Sequence, residues 1–166
     1  MIMSRLRRVL APLLLVLFLV VTGCAASEPS RWDEAQQQTS GETAVSEEAT
    51  SGGQFNQFFP EGGGGYDRVF TQEKDGFAQA SLKQDGAEVA LLSISDTTGN
   101  PQAAQKFAQS SSNIGGYPSV QVGSTQTAIL VGDRYQVKVV SKDDSFTDGD
   151  RQAWLEKFDL SGLSQL

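Results

Sequence analysis

Hydrophobic and polar positions divide the chain into three stretches. Val9–Val21 is an unbroken apolar run of 13 residues. From Ala25 to Gly65 apolar residues are sparse and follow no period. From Tyr66 onward they recur with the periods of strands and helices, which predicts the folded part of the chain. Arg68 to Gln72 reads as a short strand and Asp75-Gly76 as a turn. Phe77 to Lys83 alternates, with Ala78, Ala80 and Leu82 on one face and Gln79 and Ser81 on the other, as a half-buried strand does. Asp85-Gly86 supplies a hairpin turn, because glycine takes the positive φ such turns need. Glu88 to Ser95 is apolar on both faces through Val89, Ala90, Leu91, Leu92 and Ile94, which predicts a central strand.

After Asn100-Pro101, with proline suited to a first helical turn, Gln102 to Ser111 reads as a helix with Ala104, Phe107, Ala108 and Ser111 along one face. Gly115-Gly116-Tyr117-Pro118 reads as a loop. Ser119 to Val122, Gln126 to Val131 and Tyr135 to Ser141 are three further strands, the last with Tyr135, Val137 and Val139 opposite Gln136 and Lys138. A final helix starts near Thr147 to Asp150, acidic as a helix N-terminus prefers, and carries Trp154, Leu155 and Phe158; Leu160, Leu163 and Leu166 then cover the end of the sheet. The prediction is an α+β domain over 66–166: a mainly antiparallel sheet of about six strands with two helices, in the order βββαβββα. Leu82 to Phe107 and Leu130 to Phe158 share a sketch of tight turn, hydrophobic strand, polar loop and Lys-Phe-bearing helix. An internal repeat and a chance recurrence of one common unit both account for it.

Composition narrows the chemistry. The chain has no histidine and a single cysteine, Cys24, so a Ser-His-Asp triad, a Cys-His pair, an imidazole metal site and an internal disulfide are all excluded. All 20 acids but only 10 of the 13 bases follow Cys24, so the chain from there on carries −10. Phosphate repels such a chain, and nucleic acid is set aside as a partner.

Arg5, Arg7 and Arg8 precede the apolar run, which is short for a bilayer span of roughly 20 residues and has the layout of an export signal. It ends in Val21-Thr22-Gly23-Cys24, a sequence that resembles the lipobox of bacterial lipoproteins. The resemblance implies cleavage between Gly23 and Cys24, removal of residues 1–23 and a diacylglycerol on the Cys24 thiol, usually joined by a third acyl chain on the new amino group. Two or more chains make a stable anchor where one is marginal. Residues 24–65, rich in Ser, Thr, Gln, Glu and Gly, then read as an acidic tether. The Ser4-Arg5-Leu6-Arg7 opening, the Leu/Val run and an α+β domain are also similar to the small lipidated extrinsic proteins of cyanobacterial thylakoids, the PsbQ-like and PsbP-like subunits of photosystem II. That likeness implies a place in the periplasm or the thylakoid lumen.

Other motifs are chemically modest. Asp143 to Asp150 is the densest acidic run, but alignment with a calcium loop puts Phe146 and Leu155 where ligands belong. A solvated loop with Thr147 and Asp150 as a capping box fits better. Gly62–Gly65 and Gly115-Gly116 lack the strand and helix context of a phosphate loop. No catalytic residue, metal site or cofactor is expected. Phe55, Phe58 and Phe59 form either an arm packed on the domain or a docking peptide for a partner, and Tyr117 between glycines and proline is either a surface anchor or a ring packed on the sheet. The expected function is that of a non-enzymatic accessory or assembly module, held to a membrane through Cys24 and binding a membrane protein complex. The alternatives are a lipid-anchored carrier of a small apolar ligand, favoured by a cavity between the first helix and the sheet, and a carboxylate-dependent hydrolase.

Overall fold

Two antiparallel meanders lie edge to edge in the computed structural model, which describes residues 48–166. The first comprises β1 (Tyr66–Lys74), β2 (Phe77–Gln84) and β3 (Ala87–Asp96); the second comprises β4 (Ser112–Ile114), β5 (Tyr117–Val122), β6 (Gln126–Val131) and β7 (Tyr135–Ser141). Pairing of β3 with β7 joins them into one seven-stranded sheet of order β1-β2-β3-β7-β6-β5-β4, antiparallel throughout. Four short helices accompany it among the described residues: α1 (Gly52–Phe55), extended by a 3₁₀ turn over Asn56–Phe58, α2 (Pro101–Gln105), α3 (Asp148–Glu156) and α4 (Leu160–Leu163). Asp85 with Gly86 and Gly132 with Asp133 all have positive φ, the condition for the tight turns that link β2 to β3 and β6 to β7.

One face of the sheet carries the core. Ala78, Ala80, Leu82, Leu92, Ile94, Ile129, Val131, Val137 and Val139 point into it, and Trp154, Leu155, Phe158 and Leu163 close it from the α3–α4 side. The other face carries a small cluster, Phe107 on Ala128 and Leu130 with Ala104 and Val120 beside it.

The fold departs from the sequence expectation in four places. There are seven strands, not six, because Ser112–Ile114 pairs with Tyr117–Ser119 across a turn in which Gly115 and Gly116 both have positive φ; the expected loop is a hairpin. The helix expected over Gln102–Ser111 ends at Gln105, and Ala108 and Ser111 are exposed. Ser110 is the reason: its hydroxyl donates to Ser119 O and accepts from Ser112 N, drawing the chain off the helix and onto β5. Leu166 is 43% exposed and covers nothing. As for the shared sketch, which the sequence left open between a repeat and a chance recurrence, its two Lys-Phe pairs follow the helices and Phe107 and Phe158 lie in clusters on opposite faces of the sheet.

The fourth departure concerns the stretch assigned to the tether. Residues 48–65 belong to the described domain, with α1 and the 3₁₀ turn laid against the core face. Phe55 is fully buried with its ring edge-on to Tyr135 at 5.8 Å, and Phe59 lies 5.2 Å from both Phe70 and Phe158. The approach is so close that a Cβ on Gly52 would stand 2.4 Å from Lys74 O and 2.6 Å from Phe77 O. We therefore expect Phe55→Ala to destabilise the domain by about 3–5 kcal/mol and Leu166→Ala by less than about 0.5 kcal/mol, measured by urea denaturation.

Candidate functional site

Two charged clusters organise the described surface. The first fixes the leading segment. Asp96 ends β3 with its carboxylate fully buried, and Arg134, in the turn before β7, meets it through two bonds, Nη2 to Oδ2 at 2.7 Å and Nε to Oδ1 at 3.1 Å. This is the planar fork-to-carboxylate geometry that makes Arg–Asp pairs strong. Asp96 also accepts from Thr50 N (3.0 Å), Thr98 N (2.9 Å) and Thr98 Oγ1 (2.6 Å), while Arg134 Nη2 donates to Glu48 O at 3.0 Å. Tyr135 and Thr50 share a hydroxyl contact at 3.1 Å. Burial alone would raise the Asp96 carboxyl; the Arg134 guanidinium and the Thr98 and Thr50 donors outweigh it and hold the group well below the usual aspartate range.

The second cluster centres on Arg151, a buried guanidinium on α3. Its Nε donates to Thr127 Oγ1 (2.9 Å), Nη1 to Ser141 Oγ (2.8 Å) and Nη2 to Asp148 Oδ1 (3.0 Å). Asp148 is half exposed and is also held by Gln121 at 3.1 Å and Gln152 at 2.8 Å. Two clefts flank the cluster, one of about 390 Å³ beside Ser112, Ile114 and Gln121, the other of about 480 Å³ beside Ser124, Lys142 and Phe146.

The acidic run beside it is spent on local structure. Thr147 and Asp150 form the expected capping box, with Thr147 N donating to Asp150 Oδ2 at 2.8 Å and Asp150 N to Thr147 Oγ1 at 3.3 Å. Asp143 accepts from the amide and hydroxyl of Ser145. Hydrogen bonds from Ser145, Thr147 and Gly162 lower the carboxyls of Asp143, Asp150 and Asp159 respectively. These shifts all favour the ionised form, whereas a general acid working near neutrality needs its pKa raised. Among the described residues no three His, Cys, Asp or Glu side chains stand close enough to hold a metal ion.

Phe55, Phe58 and Phe59 are core residues, so of the two arrangements open in the sequence the structure has the packed arm and not the exposed rings. Tyr117 is half buried against the core and its hydroxyl donates to Leu160 O at 3.3 Å, which makes it a packed ring and not a free anchor. Gly62–Gly65 leads into β1, where Gly63 N donates to Tyr66 O. Phe107 packs on Ala128 and Leu130 of β6, with Ala104 of α2 beside it. Gly23 and Cys24 lie outside the described residues. Sequence reasoning missed Asp96 with Arg134, and Arg151 with Thr127 and Ser141. The available signal was a lone charge bordering an apolar strand or within an apolar helix face. The chain matches no protein-family model, and neither a curated protein nor a solved structure is significantly similar to it.

Asp96→Asn removes the charge that Arg134 and two amides converge on, at a cost of roughly 2–4 kcal/mol in urea denaturation. Because the folded carboxyl lies below its ordinary value of 3.8, its contribution is complete above that value and is lost as the pH falls through the depressed folded one. The wild-type chain should therefore lose stability on acidification below about pH 5, with a shallower slope in Asp96→Asn.

Proposed function

We propose that this chain is a lipid-anchored binding module, exported and held at a bacterial membrane through Cys24, which serves there as a non-enzymatic accessory or assembly factor for a membrane protein complex. The observation that carries the reading is Val21-Thr22-Gly23-Cys24 at the end of a basic-then-apolar leader. The acidic character of everything after Cys24 supports it, since a chain so charged needs a covalent anchor to remain beside anionic lipid. No helix among the described residues is long and apolar enough to cross a membrane. The downward carboxyl shifts of Asp96, Asp143, Asp150 and Asp159 suit a binding surface better than acid–base chemistry. The exported compartment is the periplasm or, in a cyanobacterium, the thylakoid lumen.

The test is Cys24→Ser in the native host, with fatty-acid labelling, mass analysis and fractionation. The expected result is loss of the lipid label and retention of the leader, and crosslinking from native membranes with the wild-type chain should recover a membrane protein. A variant processed like wild type that still fractionates wholly with membranes removes the lipoprotein reading. Recovery of a bound small molecule and no protein replaces the assembly module with a carrier.

A further inference from the structure

The second face of the sheet holds a square of polar side chains where β3 and β7 meet. Where β3 meets β7, Ser93 stands opposite Lys138 and Ser95 opposite Gln136. On the other side of β7 the same two residues face Ala128 and Leu130. Strand alternation sends Leu92, Ile94, Val137 and Val139 into the core, so Ser93, Ser95, Gln136 and Lys138 share the opposite face. Phe107, seated on Ala128 and Leu130, brings its neighbour Lys106 to the rim of this square, with the ammonium 5.2 Å from the Phe107 ring centre.

Two features of this square have no internal explanation. Gln136 is 8% exposed and its Oε1 is buried with no hydrogen-bond partner, a costly condition that native structures rarely leave unmet. Lys106 and Lys138 are also close enough for one charge to depress the other: burial first, and the Lys138 ammonium second, lower the Lys106 pKa. Among the described residues neither lysine is in an ion pair; the pairs formed there use Arg68, Arg134 and Arg151. The carboxylates this face carries on β1 and β3, Asp67 and Glu88, lie beyond the rung of Ser81, Leu91 and Val140, and Glu88 is occupied by the Ser81 hydroxyl at 2.6 Å.

We propose that this polar square binds a phosphoryl anion that also carries a hydroxyl, with Lys106 and Lys138 neutralising its charge, Ser93 and Ser95 donating to its oxygens, and its hydroxyl donating to Gln136 Oε1. The two ammoniums call for negative charge, and several acceptor oxygens suit the serine donors. The orphaned Oε1 requires a donor, which hydrogen phosphate or a glycerol-phosphate headgroup brings and sulfate does not. The inference stands whether or not the chain is lipid-anchored.

The test uses the full chain in neutral detergent, with NMR of the lysine ammonium and glutamine amide groups, titrated with inorganic phosphate and with sulfate at constant ionic strength. Saturable shifts at Lys106, Lys138 and Gln136 are expected, with sulfate about tenfold weaker, and either Lys106→Gln or Lys138→Gln should weaken phosphate about tenfold. Gln136→Leu should erase the preference for phosphate over sulfate. Lys157→Gln, whose ammonium lies 3.9 Å over Trp154 on the core side, should change nothing. Shifts produced by phosphatidylglycerol vesicles and neither by phosphatidylcholine vesicles nor by free phosphate support the site and identify a headgroup as the source. The assignment is overturned if phosphate and phosphatidylglycerol both leave these signals unmoved, if the lysine variants respond like wild type, or if sulfate binds as well as phosphate.

Discussion

Phe55 enters the covered face of the sheet beside Tyr135, and Phe59 closes it between Phe70 and Phe158. The need for these rings follows from how little helix the domain possesses. α3 packs on β6 and β7, while α1 packs on β1 and β2, so the helices at the C-terminal end reach only half of the apolar face. Without the leading segment, the face formed by Ala78, Ala80 and Leu82 would meet water, and a sheet with one uncovered apolar half does not hold its register or stay monomeric. The phenylalanines make the first meander part of the same core as the second.

The charged groups follow from that packing. Laying the leading segment across the end of β3 brings the Thr50 amide to Asp96, and Arg134 answers the buried carboxylate while binding Glu48 O. Arg151 does the equivalent for the other half, tying α3 to hydroxyls on β6 and β7. A chain with twenty acids thus uses several of them as caps and turn anchors, with Asp143, Asp150 and Asp159 each bonded to a nearby backbone amide.

Legibility in the sequence tracked the range of the interactions. Alternation in Phe77–Lys83 and Tyr135–Ser141 and the turns at Asp85-Gly86 and Gly132-Asp133 are local, and such signals placed six strands and both inner hairpins within a residue or two. The capping box of Thr147 and Asp150 was equally local. β4 is only three residues long and shows no period, and it is a strand because Ser110 and β5 draw it there. Whether the three phenylalanines pack as an arm or stand exposed stayed open in the sequence because they sit in a Gly- and Ser-rich setting, and their packing partners, Tyr135 and Phe158, are about eighty to a hundred residues away. The Asp96–Arg134 pair and the polar square of Ser93, Ser95, Gln136 and Lys138 both depend on β3 lying next to β7, an adjacency between distant strands that no local pattern announces.

The order in which the chain enters its own fold has a mechanical side. Residue 48 leads directly into the Asp96–Arg134 clamp, and only after Phe55, Phe58 and Phe59 and the glycines at 62–65 does the chain reach the first strand of the sheet. Force arriving from the N-terminal side is met first by the ion pair and then by the buried rings. The hydrogen-bond ladder bears none of it until both have yielded, so the domain can give up a short length of chain under load while its seven strands stay paired.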